Sequence, residues 1–317
     1  MQKISVTYKL PEEGLRLLRR YDLKVNAEDR FLSKPELIDF AYNADALITL
    51  LSDQIDREVI ERLENLKVIA NYAVGFNNID IVAAKERGVV VTNTPGVLTE
   101  ATADLTMALI LATTRRLVEG DRFVRRGLFD GWKPELLLGV SLKDRVLGII
   151  GLGRIGKAVV QRAKAFGMKV VYHNRMPASK KEEKALSVEY KSLEDLLKLS
   201  DVVSVHVPLT KETRHLIGSS RLKLMKPTGV LINTSRGAVI DEQALIQFLR
   251  ERRIFAAGLD VFENEPEIPY ALRELDNVVL LPHLGSATRE TRMEMALMVA
   301  RNVIAVLNGK RPPNRVV

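Results

Sequence analysis

The chain has 317 residues, which suits two domains better than one, and its lack of cysteine excludes disulfides, thiolate catalysis and zinc–thiolate sites. Because no apolar run reaches the ~18 residues that span a bilayer and the start reads as a strand, we expect a soluble cytoplasmic protein without a membrane partner. The 48 basic and 40 acidic residues give a net charge of +8, but the basic pairs are scattered among acids, which favours solvated helix faces over a nucleic-acid partner.

The first hundred residues alternate short apolar strands with amphipathic helices, the pattern of a parallel sheet covered on both faces. Strands are predicted at KISVTYK (3–9), DALITLL (45–51) and KVIANYAV (67–74). Ser33 followed by Glu36 predicts a capping box, and Asp56 predicts another helix start. This half contains no glycine-rich turn for phosphate.

A long apolar helix is predicted from Thr99, where it interrupts the alternation as a hinge or packing helix. Six further strands follow with helices between them, and this is the number of strands in a complete Rossmann domain. They are RVLGIIG (145–151), KVVYHN (169–174), DVVSVHV (201–207), GVLINTS (229–235), FAAGLDV (255–261) and NVVLLP (277–282). A last helix is predicted at roughly 288–308, before Gly309. The predicted fold class is α/β, with doubly wound parallel sheets.

The segment GLGRIG (151–156) has the G-x-G-x-x-G spacing and stands between a buried strand and a helix, the context that makes the pattern specific for a dinucleotide. The helix start offers amide donors and a partial positive charge to the phosphates. The predicted cofactor residues here are Gly151, Leu152, Gly153, Arg154, Ile155 and Gly156. The alternative is a sharp strand-to-helix turn with no ligand.

The next strand, MKVVYHN, ends where the adenine ribose of a bound dinucleotide would lie. No acidic residue occurs between Val171 and Lys181 to bind the ribose hydroxyls of NAD. Arg175 could instead bind the 2′-phosphate of NADP, with Asn174 as a neutral donor beside it and Lys180 or Lys181 nearby. We therefore expect Asn174, Arg175 and Met176 to contact the cofactor, and we expect NADP(H) to be preferred over NAD(H). The alternative is a solvent-facing arginine that tolerates either cofactor.

Three strand ends supply the side chains that hydride transfer to a 2-keto acid needs. Arg236 follows GVLINTS, Glu265 follows FAAGLDV and His283 follows NVVLL. The substrate carboxylate needs a cation, and the carbonyl oxygen needs a proton donor that is charged near neutral pH. Ligands of open α/β sheets bind at the carboxyl ends of strands, which favours a shared site. Taken singly, the three also read as a surface ion pair, a solvated acid and a loop residue.

Longer motifs resemble the D-isomer-specific 2-hydroxyacid dehydrogenase family over essentially the whole chain. They are NYAVGFNNID (71–80), GLGRIG (151–156), DVVSVHVPLTKET (201–213), LINTSRG (231–237), AAGLDVFENEP (256–266) and PHLGSAT (282–288). Within the family, LLSDQID (50–56), WKP (132–134) and the pair Asn174–Arg175 are most similar to the glyoxylate/hydroxypyruvate reductase branch.

The resemblance implies a role for each candidate residue. Arg236 would bind the substrate carboxylate, His283 would be the general acid and base, and Glu265 would hydrogen-bond the imidazole and fix its tautomer. Asp260 would hold the nicotinamide carboxamide. Further cofactor contacts would come from Pro208, Thr213, Thr234, Ser235 and Gly285.

The resemblance also implies substrate contacts from elsewhere in the chain. The backbone amides of Val74 and Gly75 would complete the carboxylate site, and Leu51 would wall the pocket. The family is usually dimeric, and in its reductase branch a tryptophan matching Trp132 is contributed to the partner's active site, so the resemblance implies a homodimer in which Trp132 has this role. The alternative for Trp132 is a rim residue that anchors a loop.

The family architecture implies two Rossmann-like domains with an active-site cleft between them. The substrate domain would comprise residues 1–97 and 287–317, and the dinucleotide-binding domain residues 98–286. Closure of the two would expel water before hydride transfer.

The favoured function is hydride transfer from NADPH to glyoxylate or hydroxypyruvate, giving glycolate or D-glycerate. The alternatives are a D-3-phosphoglycerate, D-lactate or 2-ketogluconate dehydrogenase, or a cofactor-sensing binding protein similar to the corepressors of this fold. His206 is predicted to be a packing residue, His173 to lie by the adenine ribose, and His215 to lie on a surface helix. None of the histidines belongs to a recognisable metal-ligand set.

Overall fold

The computed structural model describes residues 1–317 as parallel strands that alternate with helices. The strands are β1 (Lys3–Val6), β2 (Asp22–Val25), β3 (Ala46–Thr49), β4 (Val68–Asn71), β5 (Val90–Thr92), β6 (Val146–Ile150), β7 (Lys169–His173), β8 (Glu189–Tyr190), β9 (Val202–Val205), β10 (Val230–Asn233), β11 (Ala256–Leu259) and β12 (Val278–Leu280). The helices are α1 (Glu12–Leu18), α2 (Lys34–Ala41), α3 (Arg57–Arg62), α4 (Ile81–Glu86), α5 (Thr99–Thr114), α6 (Leu117–Arg125), α7 (Arg154–Ala165), α8 (Lys180–Leu186), α9 (Leu193–Leu199), α10 (Ser219–Leu222), α11 (Glu242–Arg250), α12 (Tyr270–Arg273) and α13 (Arg289–Leu307). None of these helices combines the length and the apolar character that crossing a membrane would need.

The chain forms two compact units. Unit 1 comprises Met1–Leu98 and Ser286–Val317, and unit 2 comprises Thr99–Gly285. Each unit is built on its own parallel sheet, with five strands in unit 1 and seven in unit 2. The predicted α/β class with two parallel sheets is therefore confirmed.

The unit 1 sheet has the strand order β2-β1-β3-β4-β5. This is a doubly wound order whose direction of growth reverses between β1 and β3. The three strands predicted in this half are present, whereas β2 and β5 are not predicted by the sequence pattern. β2 lies at one edge of the sheet and alternates exposed with half-buried residues, so it presents no apolar run. β5, at the other edge, has only three residues, although residues 89–91 form an apolar run there.

Apolar side chains cover both faces of the unit 1 sheet. On one face, α13 packs against α1 and β4, and its Met295 and Val299 share a buried cluster with Ile4. On the other face, Leu47 and Ile69 pack in a second cluster with side chains of α2 to α4. The helix from the far end of the chain is therefore part of the core of unit 1.

The two predicted helix starts in this unit are confirmed. Ser33 and Glu36 form a capping box at the start of α2. The carboxylate of Asp56 accepts a hydrogen bond from the N–H of Val59 at 3.1 Å, at the start of α3. Both caps satisfy N–H groups that have no partner within the helix.

The unit 2 sheet has the order β12-β11-β10-β9-β6-β7-β8. The six predicted strands are all present, and the additional strand β8 is a two-residue edge strand without an apolar run. The order of strands reverses between β6 and β9, as in a Rossmann domain. This reversal marks the edge of the sheet where ligands of doubly wound proteins bind.

The long helix predicted from Thr99 is α5, which packs within unit 2 against α7, β10 and β11. A Cβ atom on Gly258 in β11 would lie 2.6 Å from Oγ1 of Thr113 and 2.7 Å from Cγ of Leu109. The glycine therefore lets the helix approach the strand closely. Within unit 2, α5 serves as a packing helix.

Candidate active site

The carboxyl ends of β10, β11 and β12 bring Arg236, Glu265 and His283 to one edge of the unit 2 sheet. Nδ1 of His283 lies 2.8 Å from Oε2 of Glu265. The charges of Arg236 and Glu265 act on each other's ionisation. The three side chains predicted to be catalytic thus form a single cluster.

The Glu265 carboxylate accepts a hydrogen bond on each of its oxygens. Oε1 accepts from the N–H of Phe262 at 3.0 Å and Oε2 from Nδ1 of His283 at 2.8 Å. Burial alone would raise the pKa of Glu265, but the hydrogen bond and charge of His283, the Phe262 N–H and the charge of Arg236 outweigh it and lower the pKa. Because an ionised carboxylate only accepts, we assign the proton to Nδ1 of His283, which leaves Nε2 to exchange a proton with a ligand.

Arg236 is half-buried on the loop between β10 and a short 3-10 turn at Gly237–Val239. Nδ2 of Asn233 donates to the Arg236 carbonyl at 2.9 Å, and Oδ1 of Asn233 accepts from the N–H and the hydroxyl of Ser235 at 3.0 and 2.9 Å. Nη1 of Arg236 donates to the Ser235 carbonyl at 2.7 Å. Burial lowers the pKa of Arg236, and the charge of Glu265 opposes that change. The guanidinium stays a cation, since arginine does not lose its proton in proteins.

Gly237 allows the loop of Arg236 and the loop of Glu265 to touch. A Cβ atom at Gly237 would lie 1.9 Å from the carbonyl carbon of Phe262 and 2.4 Å from the nitrogen of Glu263. Both are backbone atoms, so no side-chain rotation would relieve the clash. The loops that follow β10 and β11 therefore hold each other in place.

Asp260, the residue after β11, holds the segment that carries His283. Its side chain is completely buried, and its two oxygens accept from the N–H groups of Leu284 and Gly285 at 2.6 and 2.8 Å. Its carbonyl accepts from the N–H of His283 at 2.9 Å. His283 has a φ of 56°, a conformation that residues other than glycine rarely adopt, and these bonds keep it there. Burial raises the pKa of Asp260, although the Leu284 N–H, the charge of His283 and the Gly285 N–H oppose this.

Two threonines of α5 also support the site, although no sequence motif singles them out. Oγ1 of Thr102 donates to the Gly285 carbonyl at 2.9 Å. Oγ1 of Thr106 lies 2.9 Å from Oγ1 of Thr234, one of the predicted cofactor residues. Both threonines are buried and lie four residues apart, so they share one face of the helix. The helix carries further threonines at Thr99, Thr113 and Thr114, so nothing in the sequence distinguishes these two.

The predicted glycine turn joins β6 to α7. Gly151 has a φ of 103°, and a Cβ atom there would lie 2.7 Å from the carbonyl carbon of His206. A Cβ atom on Gly156 would lie 2.3 Å from the oxygen of Gly151, so this glycine permits close packing of helix and strand. At Gly153, the N-cap of α7, a Cβ atom would meet nothing within 4 Å. This open space before the first amides of the helix fits a phosphate-bearing cofactor.

The segment after β7 carries the predicted ribose contacts. Oδ1 of Asn174 accepts from the N–H of Leu152 at 2.7 Å, so Asn174 braces the glycine turn from the neighbouring strand. Arg175 is exposed, and Met176 is 73% exposed. Both long side chains are therefore accessible to a ligand at this edge of the sheet.

Pro208 and Thr213 lie in the loop after β9, across the topological reversal from the glycine turn. Oγ1 of Thr213 donates to the Pro208 carbonyl at 2.6 Å and accepts from the N–H of Thr210 at 2.8 Å, which closes the loop on itself. The Thr210 hydroxyl and, to a smaller extent, the charge of Arg175 lower the pKa of Glu212. Arg175 is therefore within electrostatic reach of this loop.

Two other histidines of unit 2 differ in environment. Burial lowers the pKa of His206 to about 4, and its Nε2 lies 2.8 Å from Oγ of Ser204, which fits the packing role predicted for it. The prediction of a surface helix at His215 is wrong. His215 lies in a turn with a φ of 50°, because its N–H bonds to the Ala238 carbonyl at 2.8 Å, and its Nε2 lies 2.7 Å from Oε1 of Glu263.

The other predicted substrate residues, Leu51, Val74 and Gly75, lie in unit 1 after the carboxyl ends of β3 and β4. Nδ2 of Asn93 donates to the Val74 carbonyl at 2.8 Å, and Nδ2 of Asn71 donates to the Gly75 carbonyl at 2.7 Å. These buried or half-buried asparagines fix the backbone whose amides are the predicted carboxylate ligands.

The turn that carries Leu51 is held by a buried acid. Oδ2 of Asp53 accepts from the N–H of Leu50 at 2.7 Å and from the Thr7 hydroxyl at 2.5 Å. Burial raises the pKa of Asp53, and the two hydrogen bonds oppose this. Thr7 and Leu50 follow β1 and β3, so this contact joins the two strands between which the unit 1 sheet reverses.

Trp132 lies in the loop between α6 and β6 and is 83% exposed. The neighbouring Leu128 and Phe129 are also exposed. The tryptophan therefore does not anchor this loop to unit 2 by burial.

Comparison with known proteins agrees with this geometry. Residues 107–285 match the family described as D-isomer specific 2-hydroxyacid dehydrogenase, NAD binding domain. The chain is 51% identical to the glyoxylate reductase of Thermococcus litoralis, over 99% of this chain and 96% of that protein. A protein of Thermus thermophilus with a solved structure is 50% identical, with a TM-score of 0.93 over 100% of both chains.

A further solved structure contains a cofactor. It is the NADPH-dependent glyoxylate/hydroxypyruvate reductase of Sinorhizobium meliloti in complex with NADP and malonate, which is 34% identical, with a TM-score of 0.89 over 100% of this chain and 97% of that one. Taken with the family match over more than half of the chain, these likenesses show that the protein belongs to the D-isomer specific 2-hydroxyacid dehydrogenases and is an NAD(P)-dependent oxidoreductase.

Proposed function

We propose that this protein reduces glyoxylate and hydroxypyruvate with NADPH, giving glycolate and D-glycerate. The observation that carries the proposal is the cluster of Arg236, Glu265 and His283 at the strand ends that lie beside a glycine turn. The names of the Thermococcus litoralis and Sinorhizobium meliloti relatives support the reaction and the substrates.

In this proposal the three residues divide the chemistry of a 2-keto acid. Arg236 binds the carboxylate and polarises the keto oxygen with its fixed positive charge. His283 gives a proton from Nε2 to that oxygen in reduction and takes it back in oxidation. Glu265 accepts from Nδ1, so the imidazole stays in the orientation and tautomer that the transfer needs. When bound, the nicotinamide supplies the hydride that adds to the carbonyl carbon.

The cofactor residues follow the carboxyl edge of the unit 2 sheet, and we propose unit 2 as the dinucleotide-binding domain. The residues proposed to hold the cofactor are Gly151, Leu152, Gly153, Arg154, Ile155, Gly156, Asn174, Arg175, Met176, Pro208, Thr213, Thr234, Ser235, Asp260 and Gly285. The open space at Gly153 supports the phosphate end of this arrangement. Asp260 would also position His283, because its carboxylate oxygens accept hydrogen bonds from the two backbone N–H groups that follow His283.

The preference for NADPH rests on Arg175. No carboxylate stands between Val171 and Lys181, and Arg175 is exposed where a 2′-phosphate would lie. A guanidinium binds a phosphate with two parallel hydrogen bonds, whereas the ribose hydroxyls of NADH offer it no charge. The complex of the Sinorhizobium meliloti relative with NADP supports this choice.

Substrate contacts from unit 1 complete the proposal. The amides of Val74 and Gly75 are proposed to bind the carboxylate, and Leu51 to limit the substituent on the keto acid. Trp132 is proposed to serve the active site of a second copy in a homodimer, which its 83% exposure supports. Arg236, Glu265 and His283 would serve any small 2-keto acid, so a D-lactate or other D-2-hydroxyacid dehydrogenase is the second candidate.

The test is a set of initial rates with glyoxylate and with hydroxypyruvate, each against NADPH and NADH. We expect a higher kcat/KM with NADPH, and we expect Arg175→Asp to lower it by about tenfold to a hundredfold while NADH improves or is unchanged. Arg311→Asp, at an exposed loop arginine of unit 1, is the matched control and leaves the ratio unchanged. Equal rates with both cofactors, unmoved by Arg175→Asp, would contradict the cofactor preference. No turnover of either substrate would contradict the proposed reaction.

A further inference from the structure

The segment 174–179, which we name the ribose loop, joins β7 to α8 and carries Arg175 and Met176. An exposed arginine selects a phosphate well only if the backbone that carries it is held still, because ordering a mobile loop weakens binding. The two ends of the ribose loop are held by different contacts. Oδ1 of Asn174 accepts from the N–H of Leu152 at one end. Tyr172 holds the other.

Tyr172 lies in β7 and is completely buried. Its hydroxyl accepts from the N–H of Ala178 at 2.7 Å and lies 2.9 Å from Oε1 of Glu183 in α8. The hydrogen bond from Lys180 comes first among the contacts that lower the pKa of Glu183, so the carboxylate is ionised and only accepts. The Tyr172 hydroxyl must therefore donate to Glu183, which leaves its lone pairs for the N–H of Ala178.

Glu183 is an acid next to the ribose site, but the fold already uses it. It is 8% exposed, Oε1 accepts from Tyr172 and Oε2 accepts from Nζ of Lys180 at 2.7 Å. The neighbouring Glu182 is bound in an ion pair with Lys157 of α7. Both acids at the start of α8 are thus engaged within the protein, and Arg175 is the one charged residue within the ribose loop itself.

We propose that Tyr172 and Glu183 are positioning residues for cofactor selection: the bond from the Ala178 N–H to Tyr172, completed by Glu183, fixes the ribose loop so that Arg175 meets the 2′-phosphate. Neither side chain touches the cofactor in this arrangement. The inference rests on the proposed preference for NADPH and gives it a cause beyond Arg175 itself.

Tyr172→Phe tests this, because it removes the hydroxyl and keeps the buried ring. We expect the KM for NADPH to rise by about fivefold to tenfold, the loss of roughly one hydrogen bond, while kcat and the KM for NADH change by less than about twofold. Tyr190→Phe is the matched control, since the ring of Tyr190 packs edge-on against Tyr172 with centroids 5.7 Å apart and lies on β8. It leaves both KM values unchanged.

A binding measurement separates this inference from the proposed reaction. Titration calorimetry with adenosine 2′,5′-bisphosphate and with adenosine 5′-monophosphate measures the contribution of the 2′-phosphate without any chemistry. We expect wild type to bind the bisphosphate more tightly and Tyr172→Phe to lose about fivefold to tenfold of that advantage. If wild type binds the two alike, the proposed NADPH preference fails. If wild type discriminates and a folded Tyr172→Phe protein discriminates equally, the preference stands and the positioning role is wrong.

Glu183→Gln covers the case in which Tyr172→Phe does not fold. The amide keeps the size of the side chain and an acceptor oxygen for Tyr172, but it removes the charge that binds Lys180. We expect a smaller loss of bisphosphate binding in the same direction. A parallel loss for both nucleotides would indicate general damage and would overturn the proposal.

Discussion

Oε2 of Glu265 accepts the Nδ1 proton of His283 at 2.8 Å, while Oε1 of the same carboxylate accepts the N–H of Phe262. One side chain thus fixes both the orientation of the imidazole and the loop from which it does so. The arrangement depends on an ionised carboxylate. A protonated Glu265 would carry a hydroxyl that donates, so it could not accept from both the Phe262 N–H and Nδ1 of His283.

The first prediction concerns the pH dependence of stability. The pKa of Glu265 is lower in the folded protein than its ordinary value, so the ionised form stabilises the fold at pH values above the unfolded pKa of ~4.3. That contribution is lost as the pH falls through the folded pKa. We expect Glu265→Gln to lower the free energy of unfolding by up to about 1 kcal/mol at pH 7 and by less below pH ~4. Urea unfolding of both proteins across this range measures the difference, and a difference that grows toward acid would contradict the assignment.

Glu265→Gln also tests the tautomer. A glutamine can present an N–H to Nδ1, which stabilises the imidazole with its proton on Nε2 in a fixed neutral form. We expect kcat to fall by at least about tenfold while the KM for the keto acid, set mainly by Arg236, changes little. Steady-state kinetics at saturating cofactor separate the two, and an unchanged kcat would argue against a role for Glu265 in proton transfer.

Gly237 is predicted to tolerate no side chain. Gly237→Ala would place Cβ 1.9 Å from the backbone of Phe262, so the loops of Arg236 and Glu265 must separate. We expect a loss of at least about 2 kcal/mol in the free energy of unfolding or a loss of activity at equal stability. Gly218→Ala is the matched control, because its Cβ would lie 3.6 Å from the His215 carbonyl oxygen, an ordinary contact. Equal behaviour of the two variants in thermal unfolding and turnover would show that the contact does not matter.

The threonines of α5 give a paired prediction. Thr102→Val leaves the Gly285 carbonyl without its donor, and we expect it to cost about 1–2 kcal/mol of stability and to lower kcat. Thr113→Val removes a buried hydroxyl that has no hydrogen-bond partner, and we expect it to be neutral or stabilising by up to about 1 kcal/mol. Chemical denaturation compares the same substitution at two buried sites of one helix. Equal effects would mean that the bond to Gly285 contributes nothing.

The last prediction compares two glycines of the glycine turn, one facing open space where the cofactor is proposed to bind and one in contact with the protein's own backbone. Gly153→Ala adds a methyl group that meets no protein atom within 4 Å, so we expect unchanged thermal stability but weaker NADPH binding by about tenfold or more. Gly156→Ala puts Cβ 2.3 Å from the Gly151 oxygen, so we expect it to destabilise unit 2 itself. Melting curves with and without NADPH distinguish the two. Normal NADPH binding by Gly153→Ala would contradict the proposal that a cofactor phosphate lies beside Gly153.

Most of the strands that the sequence pattern predicts are buried along almost their whole length. β6 and β9 to β11 read as apolar runs because the parallel sheet is covered by helices on each side. The edge strands β2 and β8 give no such run, since part of their surface faces solvent. Helix starts were also predictable where the capping side chain bonds to a residue only three positions away, as at Ser33 and Asp56.

The candidate site was predictable to the extent that it follows strand ends. Arg236, Glu265 and His283 each come after an apolar strand, and parallel topology brings such residues to one edge. The contacts of Thr102 and of Phe262 with this edge were not predictable in the same way, because they depend on single hydrogen bonds that no local pattern specifies. The helix predicted at His215 was wrong for the same reason, because the hydrogen bond from its N–H to the Ala238 carbonyl holds the residue in a turn that the local pattern does not specify.

The place of α13 in the core of unit 1 has a consequence for synthesis of the protein. The first 98 residues are synthesised long before α13, which supplies Met295 and Val299 to one face of the unit 1 sheet. The hydrophobic cluster on that face is therefore incomplete until α13 has been made. All of unit 2 is contiguous and can close its own core before then. We therefore expect unit 2 to be able to fold before unit 1 is complete, while the amino-terminal segment keeps apolar surface exposed until α13 has been synthesised.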